Sequence, residues 1–181
     1  MKRVIEFAHE LAKEKVNIND TCVDMTIGNG NDTLLLCKLS KFVYGFDIQN
    51  QALENTSALL KENKCDNYKL ILDSHEFIDN YISGKVKLFV YNLGYLPSGD
   101  KSITTLYEST INSIKKALYL LDNKGIIIMV VYPGHEQGLV ESIKVLEYVK
   151  QLSQKEYDVV KYEFLNQINN PPFVIVIERK K

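Results

Sequence analysis

The sequence predicts an α/β fold: one parallel sheet, helices on both of its faces, and a reversed strand at its end. Three observations carry that reading. After a leading helix, β-prone runs and amphipathic runs alternate five times, which calls for strand–helix units and parallel pairing. The stretch from Ile126 to Val131 is apolar without a break, as a strand buried on both faces requires. Finally, the β-prone runs Tyr157 to Leu165 and Phe173 to Glu178 are joined by 166–172 alone. That connector is too short for a crossover helix, so the last two strands should pair antiparallel. The expectation is seven strands, six parallel and the last reversed, in a single domain over residues 1–181.

Taken in order, residues 3–15 place Val4, Phe7, Ala8, Leu11 and Ala12 on one stripe with Lys and Glu elsewhere, an amphipathic helix. His9 on that helix is expected at the surface or in packing. Residues 20–24 make the first strand, and a helix over 32–39 follows the turn Met25-Thr26-Ile27-Gly28-Asn29-Gly30. Strand, glycine turn and helix bring backbone N–H groups and a helix N-terminus to one point, where a ligand can approach the main chain closely. Asn31 or Asp32 is the expected cap of that helix. The second strand is 42–47, ending on Asp47, and Asn50 opens a helix running to about residue 63. The third, 69–72, ends at Asp73-Ser74-His75 before a short helix over 76–80. The fourth, 86–91, ends at Asn92-Leu93-Gly94-Tyr95-Leu96-Pro97. Ile103, Tyr107, Ile111, Ile114, Leu118 and Leu121 stand at steps of three and four, so a longer helix follows. The fifth strand, 126–131, lies between Asn123-Lys124-Gly125 and Tyr132-Pro133-Gly134. Leu139, Ile143, Leu146 and Val149 mark the helix after it.

Composition excludes several classes. Net charge is −1, so no global basic field advertises nucleic acid, and such a partner would need a local patch. Lys2-Arg3, Lys38 with Lys41, Lys115-Lys116 and Arg179-Lys180-Lys181 are the candidates. Cys22, Cys37 and Cys65 have no metal-ligand spacing, and an odd count argues against a disulfide framework. They suit free thiols in a reducing cytoplasm, with no metal expected. Glu6, His9 and Glu10 interrupt the only signal-like stretch, and no segment reaches membrane-span length. The expectation is a soluble cytoplasmic protein.

In a sheet of this kind ligands bind beyond the carboxyl ends of the strands, at the switch point beside the first strand. That places Asp24 to Asp32, Asp47, Asp73 to His75 and Asn92 to Tyr95 around one crevice. Asp47 has the spacing of an acid that accepts hydrogen bonds from ribose hydroxyls; a cap on the side of the following helix is the competing reading. Dinucleotides and S-adenosylmethionine share such an acid. Thr33 occupies the place of the third glycine in a dinucleotide fingerprint, and Asp24 would repel a pyrophosphate yet serve a methionine ammonium. These features favour S-adenosylmethionine. An NAD-type nucleotide-binding oxidoreductase, or a non-catalytic cofactor-binding module, is the alternative from another class.

Asp24-x-x-x-Gly28-x-Gly30 resembles the first motif of class I methyltransferases, Asp47 the acid of their second, and Asp73-Ser74-His75 their adenine-edge segment. Asn92-Leu93-Gly94-Tyr95 stands where amino-methyltransferases carry (Asn/Asp)-Pro-Pro-(Tyr/Phe). Four segments in order match more narrowly: the glycine turn through Thr33, Tyr91 to Lys101, Tyr132-Pro133-Gly134-His135, and Asn170-Pro171-Pro172. Together they resemble a small bacterial family once labelled rRNA methylases and now associated with methylating 5-aminomethyl-2-thiouridine at the tRNA wobble position. The resemblance implies a Rossmann-like class I methyltransferase fold with S-adenosylmethionine held by Asp24, Gly28, Asn29, Gly30, Asn31, Asp32, Asp47, Gln49, Ser74, His75 and Asn92. It implies a tRNA anticodon loop as partner; an rRNA or a small amine is the alternative substrate.

Methyl transfer to an amine needs alignment, a neutral nitrogen and acceptors for its N–H groups rather than a metal. Asn92 can offer its amide oxygen and a strand-end carbonyl. Its followers Leu93-Gly94 depart from Pro-Pro, which suits a flexible aliphatic amine. Tyr132 is expected to orient the amine and His135 to accept a proton, an exposed turn histidine being the competing reading. Tyr95 and Tyr132 are the tyrosines placed nearest the base. His75 should stack on or bond to the adenine. Asp100-Lys101 is given no chemistry, and a homodimer would widen the surface that grips RNA.

Overall fold

The computed structural model describes residues 1–94 and 105–181. Helix α1 (Val4–Lys15) leads into β1 (Thr21–Asp24), α2 (Asn31–Leu39), β2 (Phe42–Asp47), α3 (Asn50–Glu62) and β3 (Tyr68–Leu72). A 3-10 helix (His75–Asn80) precedes β4 (Val86–Leu93), α4 (Tyr107–Leu120), β5 (Leu121–Val131), α5 (Glu136–Val149), β6 (Tyr157–Tyr162) and β7 (Phe173–Arg179). The sheet order is β3-β2-β1-β4-β5-β7-β6. The first five strands pair in parallel, and β7 runs antiparallel between β5 and β6, so six strands share one direction. The chain reverses its direction of travel across the sheet between β3 and β4, which opens the crevice beside β1 that the sequence points to.

Strand periodicity splits the core into two layers. Phe89 and Tyr91 on β4, with Ile127, Met129 and Val131 on β5, pack under α4 and α5. Their neighbours Leu88, Val90, Ile126, Ile128 and Val130 pack under α1 and α2. The apolar run is continuous because alternate residues serve opposite layers. The same parity carries past the strands' carboxyl ends. Cys22 leads to Asp24, Val90 to Asn92, and Val130 to Tyr132, all on the face that α1 and α2 cover.

Two expectations change in detail, and one lies outside the described residues. The strand β5 begins at Leu121, which pairs with Val86, and the expected turn at 123–125 is a register shift inside it with Lys124 at φ +54°. On α5 the buried side is Gly138, Glu141, Ser142, Val145 and Val149, leaving Leu139 and Ile143 exposed at 41% and 47%. An acid can face inward there because two threonine hydroxyls meet it, as described below. Ile103, expected at the start of α4, lies outside the described residues, and the helix itself begins at Tyr107. Among the described residues, no helix is long and apolar enough to cross a membrane.

Candidate functional site

The turn after β1 is built by its neighbours. Met25 N–H donates to Val90 O at 2.8 Å and Ile27 N–H to Phe46 O at 3.0 Å, which prolongs the pairing with β4 and then with β2. The chain then folds back through Gly28 at φ +55° and Gly30 at φ +78°, left-handed conformations that favour glycine. A Cβ on Gly30 would also meet Thr56 Oγ1 at 2.4 Å. Gly30 is itself the N-cap of α2, and no side chain caps that helix. The expected Asn31 or Asp32 cap is therefore corrected: left-handed backbone at Gly30 ends the turn, and Asp32 is released for other partners.

Around this turn stand three carboxylates. Asp47, at the end of β2, accepts from Gly28 N–H through Oδ2 and from Gln49 N–H through Oδ1, each at 3.0 Å. Each oxygen retains accepting capacity. Asp24 is fully buried, accepting from the Thr33 hydroxyl at 2.6 Å and Thr26 N–H at 3.2 Å. Burial and then the Asp32 charge push its pKa well above the usual carboxylate range. Asp32 extends from the first turn of α2 to two groups: His9 Nε2 at 2.6 Å and the Asn92 side-chain nitrogen.

At the tip of β4, Asn92 is held on three sides. Its N–H donates to Thr26 Oγ1 at 2.7 Å, its Nδ2 donates to Asp32 Oδ2, and its Oδ1 receives the Tyr132 hydroxyl at 3.4 Å. Burial first, and then Asp32, push the Tyr132 phenol up to about 12, so it is a donor at neutral pH. The structure thus brings Asn92 and Tyr132 together.

Other expected residues lie differently. His75 is buried: its ring donates through Nδ1 to Met25 O at 3.1 Å and meets Tyr91 edge-on. Burial drops it to about 4, which keeps it neutral. It braces the floor of the turn. Ser74 caps the following 3-10 helix, its hydroxyl accepting from Glu76 N–H at 3.3 Å. Asn29 on the turn and Asn31 at the start of α2 are exposed, and Gln49 contributes its backbone to Asp47. His135 is the N-cap of α5, its Nδ1 accepting from Gly138 N–H at 3.1 Å, so taking a proton there would cost the cap. Tyr95 and Asp100-Lys101 lie outside the described residues. Among the basic candidates Arg179 is internal, donating to Leu118 O, Leu121 O and the Tyr157 hydroxyl, while Lys2 and Lys116 pair with Glu10 and Asp79.

The sequence reading missed His9. It lies 23 residues from Asp32, and no local spacing announces that contact. It also missed Glu141, buried on α5, which accepts from Thr105 Oγ1 at 2.6 Å and Thr110 Oγ1 at 2.7 Å. Burial raises its pKa despite those two donors.

Asp32 and Asp47 both act on Asp24, so the turn gathers three carboxyl groups. Such a set of acceptors opposes a pyrophosphate and fits a nucleoside that carries a sulfonium and an ammonium, with Asp47 placed to accept from a ribose diol. No group of three or more His, Cys, Asp or Glu that could hold a metal occurs among the described residues. A parallel sheet with a reversed last strand and this crevice defines a class I S-adenosylmethionine-dependent methyltransferase.

Comparison with known proteins narrows the class. The chain belongs to the family described as "Putative rRNA methylase", whose model matches residues 43–178. A protein of Arabidopsis thaliana named tRNA (mnm(5)s(2)U34)-methyltransferase, chloroplastic, is 34% identical over 195 aligned residues, covering 99% of this chain and 70% of that protein. Among solved structures, a "putative rRNA-methylase" from Clostridium thermocellum is 43% identical with a TM-score of 0.97, covering 99% of this chain and 98% of the other. A "putative methyltransferase" from Streptococcus mutans, solved in complex with SAH, is 40% identical with a TM-score of 0.93 and 99% coverage of both chains.

Proposed function

We propose that this methyltransferase acts on RNA, converting the 5-aminomethyl group of a wobble (thio)uridine in tRNA to methylaminomethyl. The name of the Arabidopsis relative, which aligns over 99% of this chain, supports the substrate. The observation that carries the reading is the fixed amide of Asn92. With Nδ2 committed to Asp32, the amide oxygen is the group left to receive an amine N–H, and the Tyr132 hydroxyl holds it from one side. Leu93-Gly94 follows in place of a rigid proline pair, which suits an aliphatic amine better than a stacked base amine.

Asp47 would hold the ribose hydroxyls of the cofactor, Gly28 to Asn31 would line its methionine end, and Ser74 would border its adenine. When bound, S-adenosylmethionine supplies a sulfonium methyl, taken by the nitrogen lone pair as the carbon–sulfur bond breaks toward sulfur. Nitrogen becomes positive in that step, so acceptors on its N–H groups stabilise the transition state more than the ground state. Asn92 Oδ1 is such an acceptor, made more negative by Asp32 behind it. The amine must arrive neutral, because only a free lone pair on nitrogen can attack the methyl group. In this reading residues 1–181 act as one domain, and the three free cysteines accord with a cytoplasmic site of action.

The test is methylation of tRNA carrying 5-aminomethyl-2-thiouridine by the purified protein, read by nucleoside mass spectrometry. The methylaminomethyl nucleoside should appear, and Asn92→Ala should lower turnover on the order of a hundredfold. Near-normal turnover by Asn92→Ala removes its role. Methylation of rRNA or of a free amine in place of this tRNA overturns the substrate.

A further inference from the structure

We infer that His9 is a positioning residue for methyl transfer, acting through Asp32 to fix the Asn92 amide. The inference rests on the role proposed for Asn92. Its grounds are a continuous row of polar contacts: His9 Nε2 to Asp32 Oδ1 at 2.6 Å, Asp32 Oδ2 to Asn92 Nδ2, and Asn92 Oδ1 to the Tyr132 hydroxyl at 3.4 Å. Because Asp32 is a carboxylate acceptor, the ring nitrogen facing it carries the hydrogen. One histidine donor and one amide donor therefore share the two carboxylate oxygens, which leaves the amide one orientation.

The row is positioned by tertiary packing. Ala8 and Ala12 are buried where α1 meets the sheet, and small side chains there let the helix lie close. The N-terminal end of α1 is tied down by Tyr162, which stacks on Phe7 with ring centroids 4.1 Å apart and donates to Lys2 O at 2.8 Å. The other end is held by Lys15 on Glu178 at 2.7 Å. His9 and Asp32 side chains are 32% and 12% exposed, and a cavity of about 10 Å³ between Ala8, Val90, Val130 and the row is mostly apolar. In such surroundings each bond of a charged row is stronger than in water. Without the histidine donor, Asp32 would turn toward solvent, and the amide, released from it, could rotate its nitrogen toward the amine. An N–H facing an amine N–H is repulsive, so misorientation lowers the rate of transfer without removing the ligand sites.

The experiment compares His9→Ala, His9→Gln and His9→Asn in the full chain. Glutamine can place an N–H near the position of Nε2, whereas asparagine is one methylene short. His9→Ala and His9→Asn should lose about tenfold in kcat, the scale of one charge-assisted hydrogen bond partly transmitted, with KM for the tRNA unchanged. His9→Gln should regain most of that loss, and SAH affinity by calorimetry should stay at the wild-type value in all three. Wild-type kcat in His9→Ala, a glutamine variant as slow as the asparagine one, or a loss confined to KM overturns the inference. If His9→Ala fails to fold, the glutamine–asparagine comparison decides alone. Should the wild-type protein fail to methylate this tRNA, the substrate reading falls, and nuclear magnetic resonance still decides on His9. The side-chain NH2 signals of Asn92, identified by their loss in Asn92→Ala, should be shifted downfield in the wild type and in His9→Gln. They should return toward free-amide positions in His9→Asn. Unchanged signals in His9→Asn overturn the inference.

Discussion

The buried histidine and aspartate beside the glycine turn pull stability in opposite directions with pH. The His75 pKa is depressed to about 4 by burial, so between about pH 6.5 and 4 the unfolded chain binds a proton that the folded one refuses. Its contribution is complete above the unfolded value and is lost as pH falls through that window, on the order of 3 kcal/mol in all. The Asp24 pKa is raised, so it favours the folded state as pH falls and opposes the histidine. His75→Asn keeps a donor for Met25 O but leaves no group to titrate. Urea unfolding across this range should find the variant less stable at neutral pH, with a gap to wild type that narrows on acidification. A gap independent of pH would mean that His75 is not held neutral. Gly28, Gly30 and Asp47 were legible at this scale because strand, turn and acid lie close in sequence and their chemistry is local. The packing of the His75 ring onto Met25 O was not legible, since a position after a strand says nothing of which way a ring turns.

At the scale of elements, α5 shows what a hydrophobic pattern hides. Leu139 and Ile143 mark the helix but face outward, while Glu141 faces the core because Thr105 and Thr110 supply hydroxyl donors. The periodicity identified the helix and missed its buried side, since the satisfying donors lie 31 and 36 residues away. Removing the acceptor strands two hydroxyls in the interior. Glu141→Ala should therefore cost about 3 kcal/mol, and Glu141→Gln, which keeps an acceptor, less than half of that. The midpoint of urea unfolding at constant m-value is the measure. Equal losses would assign the effect to helix packing rather than to the hydrogen bonds.

For the whole molecule, the balance of charge decides how RNA could be held. With a net charge of −1, attraction to phosphates depends on local groups, and several basic side chains already serve internal contacts. If about 4 phosphates are contacted in a single-stranded loop, log affinity for tRNA should fall with log salt at a slope of about −3. A flat response would count against phosphate contacts altogether. The sequence by itself determined the strand–helix alternation, the reversed last strand and the acid after the glycine turn. Each follows from side-chain periodicity, connector length or a motif within a few dozen residues. Tertiary structure alone decided that α1 brings His9 onto Asp32, that Asp32 locks Asn92, and that Glu141 turns inward. Those contacts join residues far apart in the chain, and their energy is realised only when packing excludes water between them.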